Sequence, residues 1–501
     1  MNELEKTYSV CPMCFYEGKL QKIDANIIEE EGKIWIKKHC KIHGDFKEIY
    51  FGDVELYKRW MSYKATAKPV SYVKTRLLED PELYDVHISQ TILTNLIVTN
   101  RTNLQWDQNY FNAHLVGYVY EPSLDQLKWL MQQTKDEKPI GSESIQIAGG
   151  EPTLREDFFD IIRIAKEVGF SHIQIHTNGL RLAENIDYCQ RLKEEKVNSI
   201  YLSFDGITNT TNPLIDIHKK LLENLRKVDL NIVLVSTLIE KNVQESGKIV
   251  RFALDNIDIV RGVHFQPKIF HSKNSSMTIN QSENKHVDII QMFAAIEKEF
   301  LGIISRDDFY PTSVVYPISQ LIEMLIHEPQ AESTPHPGCG GSTFIFLDGG
   351  KPLPISRFIN VETLVDFLNK ESKKKGPLRK LRFASALVKN IDTFTNNNAP
   401  DGFNLKQIAK DAAIGGSQFA LRKYHQKTLI VGSMWLQDVW NLNIDRLQRC
   451  IIHCPSFEGI VPFCSYTGLG YGEKIQKKYS CPKKEWEKKN SHSLEDDFKN
   501  V

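Results

Sequence analysis

The sequence predicts an α/β protein: a partial (β/α)6 barrel set between a small N-terminal metal-knuckle domain and a C-terminal region with cysteines of its own. Three observations predict it. Short β-rich runs alternate with amphipathic helical runs from residue 90 to about 267. Paired Cys and His knuckles stand near the N-terminus, and a second cysteine group follows residue 336. At 501 residues the chain is also too long for one ordinary domain. The expected units are 1–65, 85–335, 336–480 and a charged, frayed tail, 481–501.

The N-terminal unit is read from its ligand spacing. Cys11 and Cys14 form C-x2-C, and after 25 residues Cys40 and His43 form C-x2-H. Each knuckle aims two ligands at one point, which is what a tetrahedral ion requires. Gly44 suits the tight turn after the second knuckle. Three thiolates and an imidazole suit zinc or a mononuclear, rubredoxin-like iron. The metal's role is structural, because a segment of about 50 residues scarcely folds without such a staple.

The barrel is read from six strand patterns: 91–100, 143–150, 171–179, 198–206, 230–239 and 262–269. Helical patterns such as PSLDQLKWLMQQTK and REDFFDIIRIAKEVG separate them, which argues for βα units and a parallel sheet. Function in such folds gathers at the C-terminal strand ends. Those ends carry Gly149-Gly150-Glu151-Pro152, Thr177-Asn178-Gly179 and Ser203-Phe204-Asp205-Gly206. Glycines admit a ligand to the backbone, and carboxylates hold an ammonium or ribose hydroxyls. One such turn means little, since these residues favour turns anyway, but three at successive strand ends form a pattern.

In the C-terminal region Cys339, Cys450 and Cys464 are the candidate ligands of an auxiliary iron–sulfur site, with Cys454 and Cys481 as alternatives or core residues. Cys189 reads as a plain helix residue, and His453 as a ligand or, more commonly beside cysteines, as core or a partner of a ligand. SVVYPISQLIEMLI (313–326) is either one wall of an apolar tunnel or a packed helical layer.

Composition limits the setting. Lys+Arg and Asp+Glu balance at 63 each, so no overall field favours nucleic acid. The run LNIVLVSTLI (230–239) is too short to cross a bilayer, and MNELEKTYSV lacks the apolar core of a signal peptide. The expected place is the cytoplasm, with at most peripheral contact at the inner membrane face. The basic stretch SKKKGPLRKLRF (372–383) is the candidate for that contact, against its commoner role as solvated surface.

Together TNR (99–101), AGGEPTLRED, HTNGLRLAE and LSFDG resemble the core of a radical S-adenosylmethionine (radical SAM) enzyme. CPMC…CKIHGDF, GYVYEPSLDQL, HPGCGGSTFIFLDGG and IVGSMWLQDVWNLNIDRLQRCIIH resemble the subgroup that includes the archaeal tetraether lipid synthase, over residues 8 to about 480. The resemblance implies a radical-SAM-type barrel in which Gly149, Gly150 and Glu151 meet the methionine amino group of the cofactor. It also implies an isoprenoid lipid substrate.

One departure matters. The family carries C-x3-C-x2-C directly after TNR, and alignment on TNR and GYVYEPS places those ligands at Thr102, Trp106 and Asn109. Tyr110-Phe111 then falls on the family's aromatic pair. Hydroxyl, indole and carboxamide do not replace thiolates on a [4Fe–4S] cluster. The indole of Trp106 instead suits the volume such a cluster would fill. The expectation is a family member that forms no 5′-deoxyadenosyl radical and has no catalytic residue. It is retained to bind a lipid, S-adenosylmethionine or an active radical SAM paralogue. Glu151, Asn178, Ser203 and Asp205, with Gly149, Gly150 and Pro152, are its candidate ligand contacts. The alternative is an active lipid-modifying enzyme that uses the auxiliary cluster or non-radical S-adenosylmethionine chemistry. Rescue of the radical cluster by another cysteine is disfavoured, since Cys189 alone falls within the barrel segment.

Overall fold

The computed structural model describes residues 2–66, 83, 87–104, 112–270, 286–396, 398–400, 403–405, 407 and 427–498. Trp106, Asn109, Tyr110 and Phe111 lie outside the described residues.

The first four strands, β1 (Asn2–Val10), β2 (Lys22–Glu30), β3 (Lys33–Cys40) and β4 (Gly44–Phe51), form an antiparallel sheet in chain order. A two-residue turn, Glu31-Gly32, joins β2 to β3 with φ of 52° and 70°, the backbone that matches the right-handed twist of a hairpin. The helix Val54–Met61 follows, capped by Asp53, and buries Trp60 against Phe51 and Phe293.

The barrel segment follows its expected order. β5 (Leu93–Ile97), a short β6 (Tyr118–Val119), β7 (Ser144–Ala148), β8 (His172–Thr177), β9 (Ser199–Ser203), β10 (Ile232–Leu238) and β11 (Val260–Pro267) appear in turn. All but β6 lie side by side and parallel, in the order β5-β7-β8-β9-β10-β11. Helices between them bury one stripe each: in Phe158–Val168 it is Phe158, Phe159, Ile161, Ile162 and Ala165, at the spacing of a helix face. A Ser123/Gln126 capping box starts the helix Leu124–Lys135 and satisfies two otherwise orphaned N–H groups. Strand side chains alternate. Ile145, Ile147, Ile173, Ile175, Ile200 and Leu202 join the helices in the main core, and the intervening residues face the other way.

The C-terminal region adds strands to both edges of this sheet. β12 (Tyr310–Pro311), β13 (Gly341–Asp348), β14 (Lys351–Pro354) and β15 (Thr428–Ser433) extend it beyond β11, with β15 parallel to β11. β16 (Ile452–Ser456) runs parallel to β5, and β17 (Gly459–Pro462) closes that side. The basic stretch leads into the helix Arg379–Phe394, where Leu378, Leu381 and Val388 are exposed. No helix among the described residues is long and apolar enough to cross a membrane.

At the foot of the sheet a buried polar chain ties these parts together. Thr91 Oγ1 lies 2.7 Å from Glu137 Oε1 and 2.7 Å from His453 Nδ1. His453 Nε2 lies 3.1 Å from His87 Nδ1, and His87 Nε2 lies 3.3 Å from the Ile460 carbonyl. His453 is thus a core residue.

The tail corrects an expectation. Read as frayed, it is ordered through residue 498: β18 (Cys481–Pro482) pairs with β6, and the helix Lys483–Asn490 and the turn Leu494–Phe498 follow. The cause is specific pairing that its charged composition hides. Trp486 and Leu494 are buried with Val119, and Asp497 grips Arg101.

Candidate functional site

The knuckles converge as their spacing predicts. Cys11 caps the helix Pro12–Tyr16, its sulfur accepting from the Cys14 N–H. Gly44 turns the second knuckle at φ 77°, where a side chain would be strained. His43 Nδ1 lies 3.5, 3.4 and 3.8 Å from the sulfurs of Cys11, Cys14 and Cys40, and Cys14 lies 3.9 Å from Cys40. Ligands about 2.3 Å from one tetrahedral ion stand about 3.8 Å apart, so the set fits a single metal. The other imidazole nitrogen, Nε2, lies 3.1 Å from the Glu17 carboxylate, which fixes the ring with Nδ1 toward the metal.

The strand ends form a second centre. A Cβ on Gly149 would lie 2.4 Å from the Thr99 carbonyl, and one on Gly150 would lie 2.1 Å from the Arg101 carbonyl. Glycine is required there because the chain after β5 docks on this turn, through Gly150 N–H to Thr99 O and Glu151 N–H to Arg101 O. Glu151 is fully buried. Its Oε1 accepts from Thr153 N–H, Thr153 Oγ1 and Thr177 Oγ1, and its Oε2 from Asn178 N–H. Burial nevertheless raises its pKa. Pro152 opens the short turn that Glu151 caps.

Asn178 donates from Nδ2 to Asn103 Oδ1 at 2.7 Å, and its own Oδ1 accepts from Leu180 N–H. Leu104 packs with Leu180 and Leu214, so the chain after β5 folds over the end of β8. Thr102 is buried in that loop and accepts from the Leu104 N–H through Oγ1. Asp205 accepts from Thr237 N–H, and burial pushes its pKa up to about 6. Ser203 Oγ lies 3.3 Å from His176 Nε2. The seven candidate contacts thus gather at adjoining strand ends, with the polar side chains bonded to neighbouring protein groups. The sequence holds no cysteine between Cys40 and Cys189.

Beside this centre a cleft of about 900 Å³ separates the strand-end loops from the C-terminal helix; Arg101, Glu121, Arg155, Arg181, Lys489 and Asp497 line it. Arg101 gives Asp497 two bonds, of 2.9 and 2.6 Å, and one of 3.2 Å to Glu121, and it stacks on Trp486. Sequence reasoning missed this lock, because the partners stand 396 positions apart.

It also missed the sheet face turned from the helices. Gln146 Nε2 donates to Asn95 Oδ1 at 2.9 Å, and Gln174 Nε2 donates to Gln146 Oε1 at 2.8 Å, a ladder of amides in register across β5, β7 and β8. His176, Tyr201, Ser203, His264 and Gln266 alternate on the same side of their strands and keep part of their surface open. Burial lowers His176 and His264 to about 4, so both rings are neutral near pH 7. The signal was the alternation of polar residues inside otherwise apolar strands.

The C-terminal cysteines meet around Arg446. This guanidinium is fully buried and lies within electrostatic reach of Cys339 and Cys464, and Cys450 faces both of those cysteines. Cys450 and Cys464 sit deep in the protein, yet each keeps part of its surface open, as side chains lining an internal chamber do. The three do not close to the spacing of a single-ion site; among the described residues the knuckle set reaches it, and so do Glu5, His336 and Asp445. Arg446 Nε and Nη1, Trp435 Nε1 and His336 Nε2 are buried without hydrogen-bond partners. Donors left bare around open thiols fit a larger anionic group such as an iron–sulfur cluster. Cys454 lies against Asn95, and Cys189 donates to the Leu182 carbonyl within its helix pair.

Comparison with known proteins agrees with this layout. Residues 3–52 match the HMPTM N-terminal zinc ribbon domain, and residues 108–253 match the radical SAM superfamily. The 7,8-dihydro-6-hydroxymethylpterin dimethyltransferase of Methanocaldococcus jannaschii is 36% identical over 511 residues, spanning 98% of this chain and 99% of that protein. A probable GTP 3′,8-cyclase of Sulfurisphaera tokodaii is 29% identical over 31% of this chain and 52% of its own length. The solved structure of Streptococcus suis SuiB bound to S-adenosylmethionine is 16% identical over 38% of this chain and 42% of that one, with a TM-score of 0.30. At that distance its likeness says nothing of the site. The relative that spans the chain is named for a pterin, where the sequence resemblance had pointed to tetraether lipid synthase. The chain belongs to the radical SAM superfamily, in the family of the Methanocaldococcus pterin dimethyltransferase.

Proposed function

We propose that this chain is a radical SAM family member that does not cleave S-adenosylmethionine and acts by binding a flat, polar ligand, with an iron–sulfur cluster at Cys339, Cys450 and Cys464. The observation that carries it is the loop after β5. There Thr102 stands where the family resemblance places the first cluster thiolate, and it spends its hydroxyl on the loop's own backbone. Without three thiolates no iron is held to pass an electron to the sulfonium. The inward bonding of Glu151 and Asn178 supports the same reading, because it leaves their side chains joining strand ends.

The ligand class rests on the sheet's open face. Gln146, Tyr201, His264 and Gln266 keep part of their surface open and offer hydrogen-bond donors and acceptors with no net charge, beside the buried amides of Asn95 and Gln174. Such a surface suits the amide edge of a reduced pterin, the compound class in the name of the Methanocaldococcus relative, better than an isoprenoid chain, which needs an apolar wall. An active enzyme drawing electrons from the C-terminal cluster is the second reading, favoured by the chamber around Arg446.

The test is anaerobic reconstitution, with iron, sulfide and zinc counted per chain and EPR recorded with and without S-adenosylmethionine. Calorimetry then compares 7,8-dihydro-6-hydroxymethylpterin with isoprenoid lipid micelles. A cluster signal indifferent to S-adenosylmethionine, with pterin binding and no lipid binding, supports the proposal. Formation of 5′-deoxyadenosine overturns it.

A further inference from the structure

We propose that Arg446 is the counter-cation of the Cys339/Cys450/Cys464 chamber, positioned to neutralise an anionic iron–sulfur cluster and to set its reduction potential; this rests on the reading of those thiols as cluster ligands. The guanidinium is 1% exposed and carries charge at every ordinary pH. Among the described residues no carboxylate pairs with it. Around it stand the Tyr50 ring, 5.4 Å from the guanidinium carbon, and the thiols of Cys339 and Cys464. One nitrogen, Nη2, donates to the Trp435 carbonyl, and the guanidinium also reaches the Cys339 thiol; Nε and Nη1 have no nitrogen or oxygen partner.

A buried cation is costly unless paired, and protonated thiols supply no charge to pair it. As cluster ligands the same cysteines are thiolates, and a cluster held by three of them is net negative, more so once reduced. A fixed cation already turned toward the Cys339 sulfur, with no oxygen acceptor for Nε or Nη1, therefore fits the reduced cluster best. It stabilises the added electron and donates to sulfur, and both effects raise the potential. Arg446 touches no reacting atom in this role; it is a positioning residue for the cluster's charge.

The experiment uses the full chain as wild type, as the triple variant Cys339→Ala/Cys450→Ala/Cys464→Ala, as Arg446→Met and as Arg446→Lys. Thermal unfolding is recorded before reconstitution. Iron and sulfide content and an EPR-monitored redox titration follow. The triple variant is expected to lose the cluster. Arg446→Met should move the one-electron reduction equilibrium at least tenfold toward the oxidised cluster, a fall of 59 mV or more. Arg446→Lys, which keeps the charge, should recover most of that shift. Before reconstitution Arg446→Met should unfold no lower than wild type, because methionine removes an unpaired buried charge. Loss of the cluster in Arg446→Met with its return in Arg446→Lys supports the proposal equally.

An unchanged potential in Arg446→Met overturns it. So does loss of the cluster in both Arg446 variants, or an Arg446→Met chain that unfolds early before reconstitution, since Arg446 would then be a buttress for the Trp435 carbonyl. If wild type and the triple variant hold the same iron and sulfide, the cluster reading itself has failed, and the role of Arg446 falls with it.

Discussion

Glu137 is 4% exposed, and among the described residues its carboxyl bonds only to Thr91, through the N–H and the hydroxyl. Burial without a cation raises its pKa from 4.5 to about 7. The folded state therefore holds this proton more tightly than the unfolded chain. Its contribution to stability is complete below about pH 4.5 and is lost as pH rises to 7. The ionised form costs the fold about 3 kcal/mol at pH 8, from 1.36 kcal/mol per pH unit of displacement. Hydrogen-bond polarity agrees. With Glu137 protonated, its O–H donates to Thr91, Thr91 to His453 Nδ1, His453 Nε2–H to His87 Nδ1, and His87 Nε2–H to the Ile460 carbonyl, so that no link meets like to like. The substitution Glu137→Gln can keep that order, with an amide in place of the acid. This variant should then match wild type near pH 4.5 and exceed it by up to about 3 kcal/mol at pH 8, in urea unfolding followed by circular dichroism across that range. A difference that stays flat with pH, or a variant weaker than wild type at pH 8, would refute the reasoning. It would mean that the chain carries an ionised Glu137 and a charged His87.

Three further outcomes follow from the same structure. Gly150→Ala drives a methyl to 2.1 Å from the Arg101 carbonyl and should cost about 1–3 kcal/mol or more, read as a lower urea midpoint. Asp497→Ala leaves Arg101 buried with Glu121 alone and should cost about 3 kcal/mol locally, seen as faster amide exchange over 481–498 while the barrel strands stay protected. Chelation, or Cys14→Ser, should release about one tetrahedral ion per chain and unfold residues 2–51 first, measured by metal analysis and by exchange in β1 to β4.

Local pattern carried most of the architecture. All six barrel strands fall inside their expected runs or within two residues of them, because each alternates apolar residues toward the helices and ends in turn residues. The knuckles were legible because ligand spacing is itself the geometry of the site. What could not be read joins distant positions. Arg446 looks like any helical arginine until Cys339 and Cys464 come up to it, and Asp497 looks like part of a solvated tail until Arg101 meets it. The amide ladder lies between these extremes: Gln146 and Gln174 show in the sequence as polar interruptions, but only the parallel register makes them one surface. Gly149 and Gly150 were read as room for a ligand, whereas the neighbour they admit in this structure is the chain's own backbone.

The pairing of Arg101 with Asp497 also sets a schedule for synthesis. At about 5–20 residues per second, the 396 positions between them take about 20–80 s to translate. For most of that time β5 has β7 on one side and an open edge on the other, because β16, its second partner, begins only at Ile452. The strand-end loop that holds Thr102 acquires this clamp only once Asp497 has been made. A nascent chain of this protein thus carries a nearly complete half-barrel with an unpaired parallel strand, the kind of edge that chaperones shield and that premature termination leaves exposed for good.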